Sequence, residues 1–244
     1  MMAVLRRLGP FASEATPAIT AVLSDESPGV VSEALSVLKA IGPEARSSMP
    51  AIQPFLANGD STIRMLAAAA SARITGNPEI AIPTLVDVLE RRIAGVPKAH
   101  IKVDIRQEMP GLVTSGPEAA AILLGELGPP ARASIPALER RLEDNNKWIR
   151  LASAQALWRI SGDSRKALPV LIALLDSESP PPPSQSPSPG GSSNYGLIRT
   201  IEAMEEMGPA AREAIPALER VRRFSGSARR AVNAALAAIR SQSP

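Results

Sequence analysis

The sequence predicts an all-α chain: a right-handed α-solenoid of about six helical hairpins plus a C-terminal capping helix. Three observations predict it. A proline column recurs every 33 residues, apolar columns at helical offsets accompany that column, and the composition leaves a core only small aliphatic side chains. Apolar residues make up 45% of the 244-residue chain but aromatics only 2%, so Ala, Leu, Ile and Val must fill it, as suits closely packed helices. The 24 prolines argue against helix unless they fall where a helix begins and a missing N–H costs nothing.

They fall there. Pro17, Pro50, Pro83, Pro136, Pro169 and Pro216 are separated by 33, 33, 53, 33 and 47 residues, a 33-residue period interrupted twice. One residue before each proline stand Thr16, Met49, Ile82, Ile135, Leu168 and Ile215, and two after it Ile19, Ile52, Leu85, Leu138, Leu171 and Leu218. Six after it come Leu23, Leu56, Leu89, Leu142 and Leu175, with Arg222 the exception. These offsets share one side of a 3.6-residue helix, so each proline opens an amphipathic helix, here helix B.

Nine residues before each proline, Leu8, Ile41, Ile74, Leu127, Ile160 and Met207 end a preceding helix A. Three residues earlier lie Leu5, Leu38, Ser71, Leu124, Leu157 and Met204, among alanines such as Ala34, Ala67, Ala68, Ala120, Ala121 and Ala154 that let a neighbouring helix approach. A glycine corner joins A to B: Gly9-Pro10, Gly42-Pro43, Gly76, Gly128-Pro129, Gly162 and Gly208-Pro209. Glycine can take the left-handed cap that stops helix A, and proline prevents its continuation. One hairpin cannot bury its own apolar face; stacked hairpins can.

The corner segments Gly42-Pro43-Glu44-Ala45-Arg46 with Met49-Pro50-Ala51-Ile52, Gly128-Pro129-Pro130-Ala131-Arg132 with Ile135-Pro136-Ala137-Leu138, and Gly208-Pro209-Ala210-Ala211-Arg212 with Ile215-Pro216-Ala217-Leu218 resemble the short HEAT-like repeats of the PBS-lyase type. Asp60-Ser61-Thr62-Ile63-Arg64 and Asn146-Lys147-Trp148-Ile149-Arg150, the latter running into Leu151–Leu157, resemble the helix A signature of the same armadillo-like superfamily. The resemblance covers the chain apart from two insertions. It implies stacked hairpins with helix B lining a concave surface, and because the shared residues are structural it implies little about function.

The first insertion, about residues 93–115, alternates apolar and polar residues from His100 to Arg106, which fits a short strand, an extended strap or a helix. It contains the single histidine, which without cysteine or a second histidine has no metal partner and reads as a surface-loop residue; a binding strap over the edge of the solenoid is the sharper reading. The second, residues 177–194, is Pro/Ser/Gly-rich, includes four consecutive prolines and Ser-Pro pairs, and reads as a disordered loop. A polyproline ligand or phosphate acceptor would have the same composition. Residues 226–242 read as a lone helix A that caps the array, while helix A before Gly9 is short, so the first hairpin reads as truncated or uncapped. The chain is expected to be a monomer or a fragment of a longer array.

Net charge is +3, from 27 basic and 24 acidic residues, a balanced surface with no basic tail. Only five of the basic residues are lysines (Lys39, Lys98, Lys102, Lys147, Lys166), which reads as a GC-rich genome before any demand for arginine contacts. The absence of cysteine excludes disulfides, thiolate nucleophiles and Cys-based zinc sites. The opening residues lack the apolar run of a signal peptide and no stretch has the length of a membrane span, so a soluble cytoplasmic protein is expected.

No phosphate-binding loop, dinucleotide fingerprint or nucleophile elbow occurs, and carboxylate pairs such as Glu205-Glu206 read as solvated helix faces, so no enzyme and no cofactor are expected. Among HEAT-like relatives, di-iron hydroxylases need several His-Glu pairs, which one histidine excludes. Bilin lyases act on bulky tetrapyrroles, for which one Tyr, two Trp and three Phe make a poor pocket. The outward positions three and four after the proline column are Thr20-Ala21, Gln53-Pro54, Val86-Asp87, Glu139-Arg140, Ile172-Ala173 and Glu219-Arg220, a nearly neutral mosaic. It argues for a protein or peptide partner over phosphate tracking. Gln53, Asp87, Arg91, Glu139, Arg140 and Arg220 are the candidate partner-binding residues of a non-catalytic scaffold. Nucleic-acid binding is the first alternative and bilin-lyase-like prosthetic-group attachment the second.

Overall fold

The computed structural model describes residues 2–90, 101–102, 113–114, 116–177, 195–224 and 228–241. They form an all-α solenoid of helical hairpins that divides into two compact units, 1–137 and 138–244. In the first, helices A are α1 (Met2–Leu8), α3 (Pro28–Ile41), α5 (Ser61–Thr75) and α7 (Gly116–Leu127). Their B partners are α2 (Thr16–Val22), α4 (Met49–Ile52), which continues as a 3₁₀ turn over Gln53–Ala57, and α6 (Ile82–Leu89). The boundary falls inside α8 (Ile135–Arg141). The second unit has α9 (Lys147–Ser161), α10 (Ser164–Ser177), α11 (Tyr195–Met207), α12 (Ile215–Phe224) and α13 (Arg229–Arg240).

In five of the six repeats the column proline is the second residue of helix B, at Pro17, Pro50, Pro83, Pro136 and Pro216. Pro169 departs from the pattern. It lies inside α10, which starts at Ser164, because the Gly162-Asp163 corner lacks the Gly-Pro-x-Ala segment and the helix begins immediately after the cap. Helix α4 is cut to four residues because Pro54 follows Pro50 by four and has no N–H to donate back to it.

The Gly-Pro corners are built rather than irregular. Each opens a 3₁₀ turn, Gly9–Ala15, Gly42–Ser48 and Gly208–Ala214, with a shorter one at Pro129–Ser134. The alanines Ala45, Ala131 and Ala211 point into the core, and the Ser48 and Ser134 hydroxyls donate to the carbonyls of Ala45 and Ala131 at 2.6 and 2.7 Å. The family-signature positions are caps: Asp60 accepts from the N–H groups of Thr62 and Ile63, and Asn146 from that of Trp148. The signature arginine of the same turn, Arg150, donates from Nη1 to the Asp144 carbonyl at 2.7 Å and so ties down the loop entering α9.

Helices A stack on one another, α3 between α1 and α5, and α11 between α9 and α13. A small-residue column of Ala34, Ala67, Ala120, Ser153 and Thr200 is buried throughout, which permits the close approach. At the first hairpin the same template is open on one side. Leu8 is 46% and Val4 60% exposed, whereas Ile41, Ile74 and Ile160, in the column of Leu8, are at most 1% exposed. Helix α13 buries Val232, Ala235, Leu236 and Ile239 and leaves Arg230, Asn233 and Arg240 exposed.

Within the first insertion the described residues form one antiparallel pair, β1 (Ile101–Lys102) with β2 (Val113–Thr114), in the register Ile101 to Thr114 and Lys102 to Val113. A short strand is therefore the conformation at those positions. His100, the rest of 93–115 and residues 178–194 lie outside the described residues.

Candidate functional site

The described candidate partner-binding residues lie on the B helices or the turn that continues one, in different states of engagement. In the first unit Gln53 is exposed on the turn that continues α4, and Asp87 is half-buried on α6. Arg91 lies outside the described residues. In the second unit Arg140 is exposed on α8, beside Glu139, whose carboxylate accepts from Lys166 Nζ on α10 at 2.6 Å. Arg220 on α12 pairs with Asp176 on α10 at 2.7 Å. Glu139 and Arg220 thus also link successive B helices. Such solvent-exposed pairs contribute only about 0–1 kcal/mol each, so a partner can compete for them.

Two features were not singled out from the sequence. The first is a cluster at the start of α9 and α11, where the Trp148 and Tyr195 rings lie 5.4 Å apart. Lys147 Nζ stands 5.0 Å from the Trp148 ring centre, and Arg199 donates to the Tyr195 hydroxyl at 2.8 Å. Helical offsets assign both aromatics to separate repeats and carry no signal that they meet.

The second is a pocket of about 480 Å3 in the first unit, at the C-terminal ends of α3, α5 and α7. Ala69, Ala72, Leu85, Leu123 and Leu127 line its apolar part, and Lys39, Arg73 and Glu126 supply its charges. Lys39 Nζ donates to Glu126 Oε2 at 3.0 Å, passing over the small residues of α5. The Arg73 side chain lies against the Gly42 corner and makes no hydrogen bond or ion pair among the described residues. The missed signal was a column ten residues before the prolines, charged at Arg7, Arg73, Glu126, Arg159 and Glu206 and interrupted at Ala40.

One corner of the second unit has a distinct electrostatic signature. Asp163 accepts from the Arg165 backbone N–H and from its guanidinium, and the side-chain hydrogen bond, followed by the backbone one, holds its carboxyl at about 2 against the usual 3.8. Because the folded value is depressed, the stabilising contribution is complete well above pH 3.8 and is lost as pH falls toward about 2. A carboxyl-carbon NMR titration should show Asp163 still ionised at pH 3; a midpoint near 3.8 would remove the contribution.

Among the described residues no group of three or more His, Asp or Glu side chains is placed to hold a metal ion, and no helix is long and apolar enough to cross a membrane. Residues 116–184 match the family model described as HEAT repeats. The structure is similar to the complex of CpcE and CpcF of phycocyanin lyase from Nostoc sp. PCC7120, with 21% identity, a TM-score of 0.54 and coverage of 97% of this chain and 88% of that one. The chain thus has a helical-repeat fold, with HEAT repeats matched over residues 116–184. The structure also shows weaker likeness to a designed armadillo repeat protein in complex with the peptide (KR)4 (15% identity, TM-score 0.39, 98% and 90% coverage). For human deoxyhypusine hydroxylase in complex with glycerol the values are 16% identity, TM-score 0.33, and 97% and 100% coverage. No curated protein matches the sequence. A helical-repeat fold is one typical of interaction scaffolds.

Proposed function

We propose that the HEAT-like protein is a non-catalytic scaffold that holds a protein or peptide on the outward positions of its B helices, with residues 93–115 acting as a strap. The observation that carries this reading is the chemistry of those positions. Exposed Gln53, Arg140 and Arg220 alternate with half-buried Val86, Asp87, Glu139 and Ile172, a mixture of both charge signs and apolar surface. Protein interfaces have this polar and apolar mixture, whereas phosphate tracking needs a continuous excess of cations.

The immobilised full chain should retain proteins from a lysate of its source cells, and nuclease treatment should leave them bound. Release of the bound material by nuclease would overturn the reading in favour of nucleic-acid binding. Deleting residues 93–115 should change the set retained; an unchanged set would refute the strap. A second reading, bilin attachment or an accessory role in it, draws on the likeness to the phycocyanin lyase complex. It requires a shift in the absorbance spectrum of a linear tetrapyrrole on mixing, and the scaffold reading predicts none.

A further inference from the structure

The two units treat one equivalent place in opposite ways, and the difference defines a ligand. In the second unit α9 presents Gln155, Trp158 and Arg159, standing 14, 11 and 10 residues before Pro169. The facing helix α11 presents Glu206, and its carboxylate accepts from Gln155 Nε2 at 2.8 Å and from Arg159 Nη2 at 2.8 Å. Trp158 is half-buried against the core of that unit. In the first unit the same columns on α5 carry Ala69, Ala72 and Arg73, and the facing carboxylate is Glu126 on α7.

Two alanines replace a glutamine and a tryptophan, and even with the bulkier Leu123 on α7, where α11 has Ala203, about 480 Å3 stays open. Glu126 does not pair with Arg73 as Glu206 pairs with Arg159, because Lys39 from α3 takes it. The pocket is left with two cations and one carboxylate, a net charge of +1, and with a guanidinium that has no partner among the described residues. A guanidinium beside an apolar cavity binds a carboxylate through charge-assisted, often paired hydrogen bonds.

We infer that this pocket binds an apolar monocarboxylate, an aromatic or aliphatic body of about the size of an indole carrying one carboxylate for Arg73. The apolar body lies against Ala69, Ala72, Leu85 and Leu123, Ala72 standing in the column where α9 carries Trp158. The volume falls in the range of small-ligand pockets, about 300–1,000 Å3. A free acid and the C-terminal residue of a peptide both present this chemistry. The site is independent of the B-helix faces proposed above.

The test is calorimetric titration of the full chain with two probes, indole-3-propionate and acetyl-Gly-Gly-Trp with a free C-terminus, each beside its neutral amide. At least one acid should bind saturably, and its amide about tenfold more weakly or worse, the loss expected for one charge-assisted contact. Whichever acid binds identifies the source. Arg73→Gln should weaken the acid by about the same factor, and because Arg73 is exposed at the rim its far-UV spectrum should match the parent's. Ala72→Trp, which copies Trp158, should abolish binding. Lys39→Ala should also weaken it, by releasing Glu126 to pair with Arg73. Saturable binding of neither acid, equal binding of acid and amide, or undiminished binding by Arg73→Gln would each overturn the proposal. The last holds whether or not Ala72→Trp folds.

Discussion

Leu38→Ala is expected to destabilise the first unit by about 2–5 kcal/mol, the range for deleting a fully buried leucine and leaving a cavity. Leu38 is completely buried, and α3, which carries it, is held between α1 and α5 and so has least freedom to collapse into the space. The column itself supplies the control. Ser71 occupies the equivalent position on α5, also fully buried, with a hydroxyl that has no hydrogen-bond partner among the described residues. Ser71→Ala removes a desolvated polar atom instead of packing, so it should be neutral or stabilising by about 1 kcal/mol. Urea denaturation of both variants checks the pair. Equal losses would mean that the column is not the packing unit described here.

Gly42→Ala is expected to cost about 1–3 kcal/mol through the backbone alone. Gly42 has φ +77° and ψ −138°, and Gly128, the equivalent corner, has φ +67° and ψ −147°. Both precede proline, which disfavours helical ψ in the residue before it and drives the glycine into a region closed to side chains. Gly76 and Gly162 have no proline after them and relax into the ordinary left-handed region, at ψ 11° and 7°. An asparagine tolerates that region, so Gly76→Asn should cost clearly less than Gly42→Ala. No side chain crowds the place where a Gly42 Cβ would stand, the nearest atoms being those of Arg73 at 3.8 Å, so the difference between the two variants reads strain rather than collision. Thermal unfolding of the two variants gives the comparison.

Much of the fold was legible because its causes are local and repeated. Proline fixes where helix B starts, glycine where helix A stops, and offsets of −1, +2 and +6 fix which face is buried. The same reasoning failed where a second local signal competed with the column. Pro54 cuts α4 short, and the Gly162-Asp163 cap starts α10 five residues before Pro169. The short β1–β2 pair lay in a segment whose alternation fits several conformations.

The candidate surface was less legible, because a helix offset predicts exposure and not partnership. Glu139 and Arg220 carry partly or fully exposed side chains, yet Lys166 and Asp176 reach them from α10. The Lys39–Glu126 pair was further out of reach. It joins α3 to α7 past α5, 87 residues apart, and only the replacement of a bulky column by Ala69 and Ala72 allows it. The unpartnered Arg73 follows from that one pairing and no column predicts it.

The central claim is that the outward positions of the B helices hold a protein partner. The direct measurement is retention of partner proteins by the intact chain against a double variant, Gln53→Arg with Arg140→Glu, both at exposed positions. With circular dichroism unchanged, retention should fall by about tenfold or more, as expected when one interface residue gains a charge and another has its charge reversed. Full retention of the same proteins by the double variant would contradict the account.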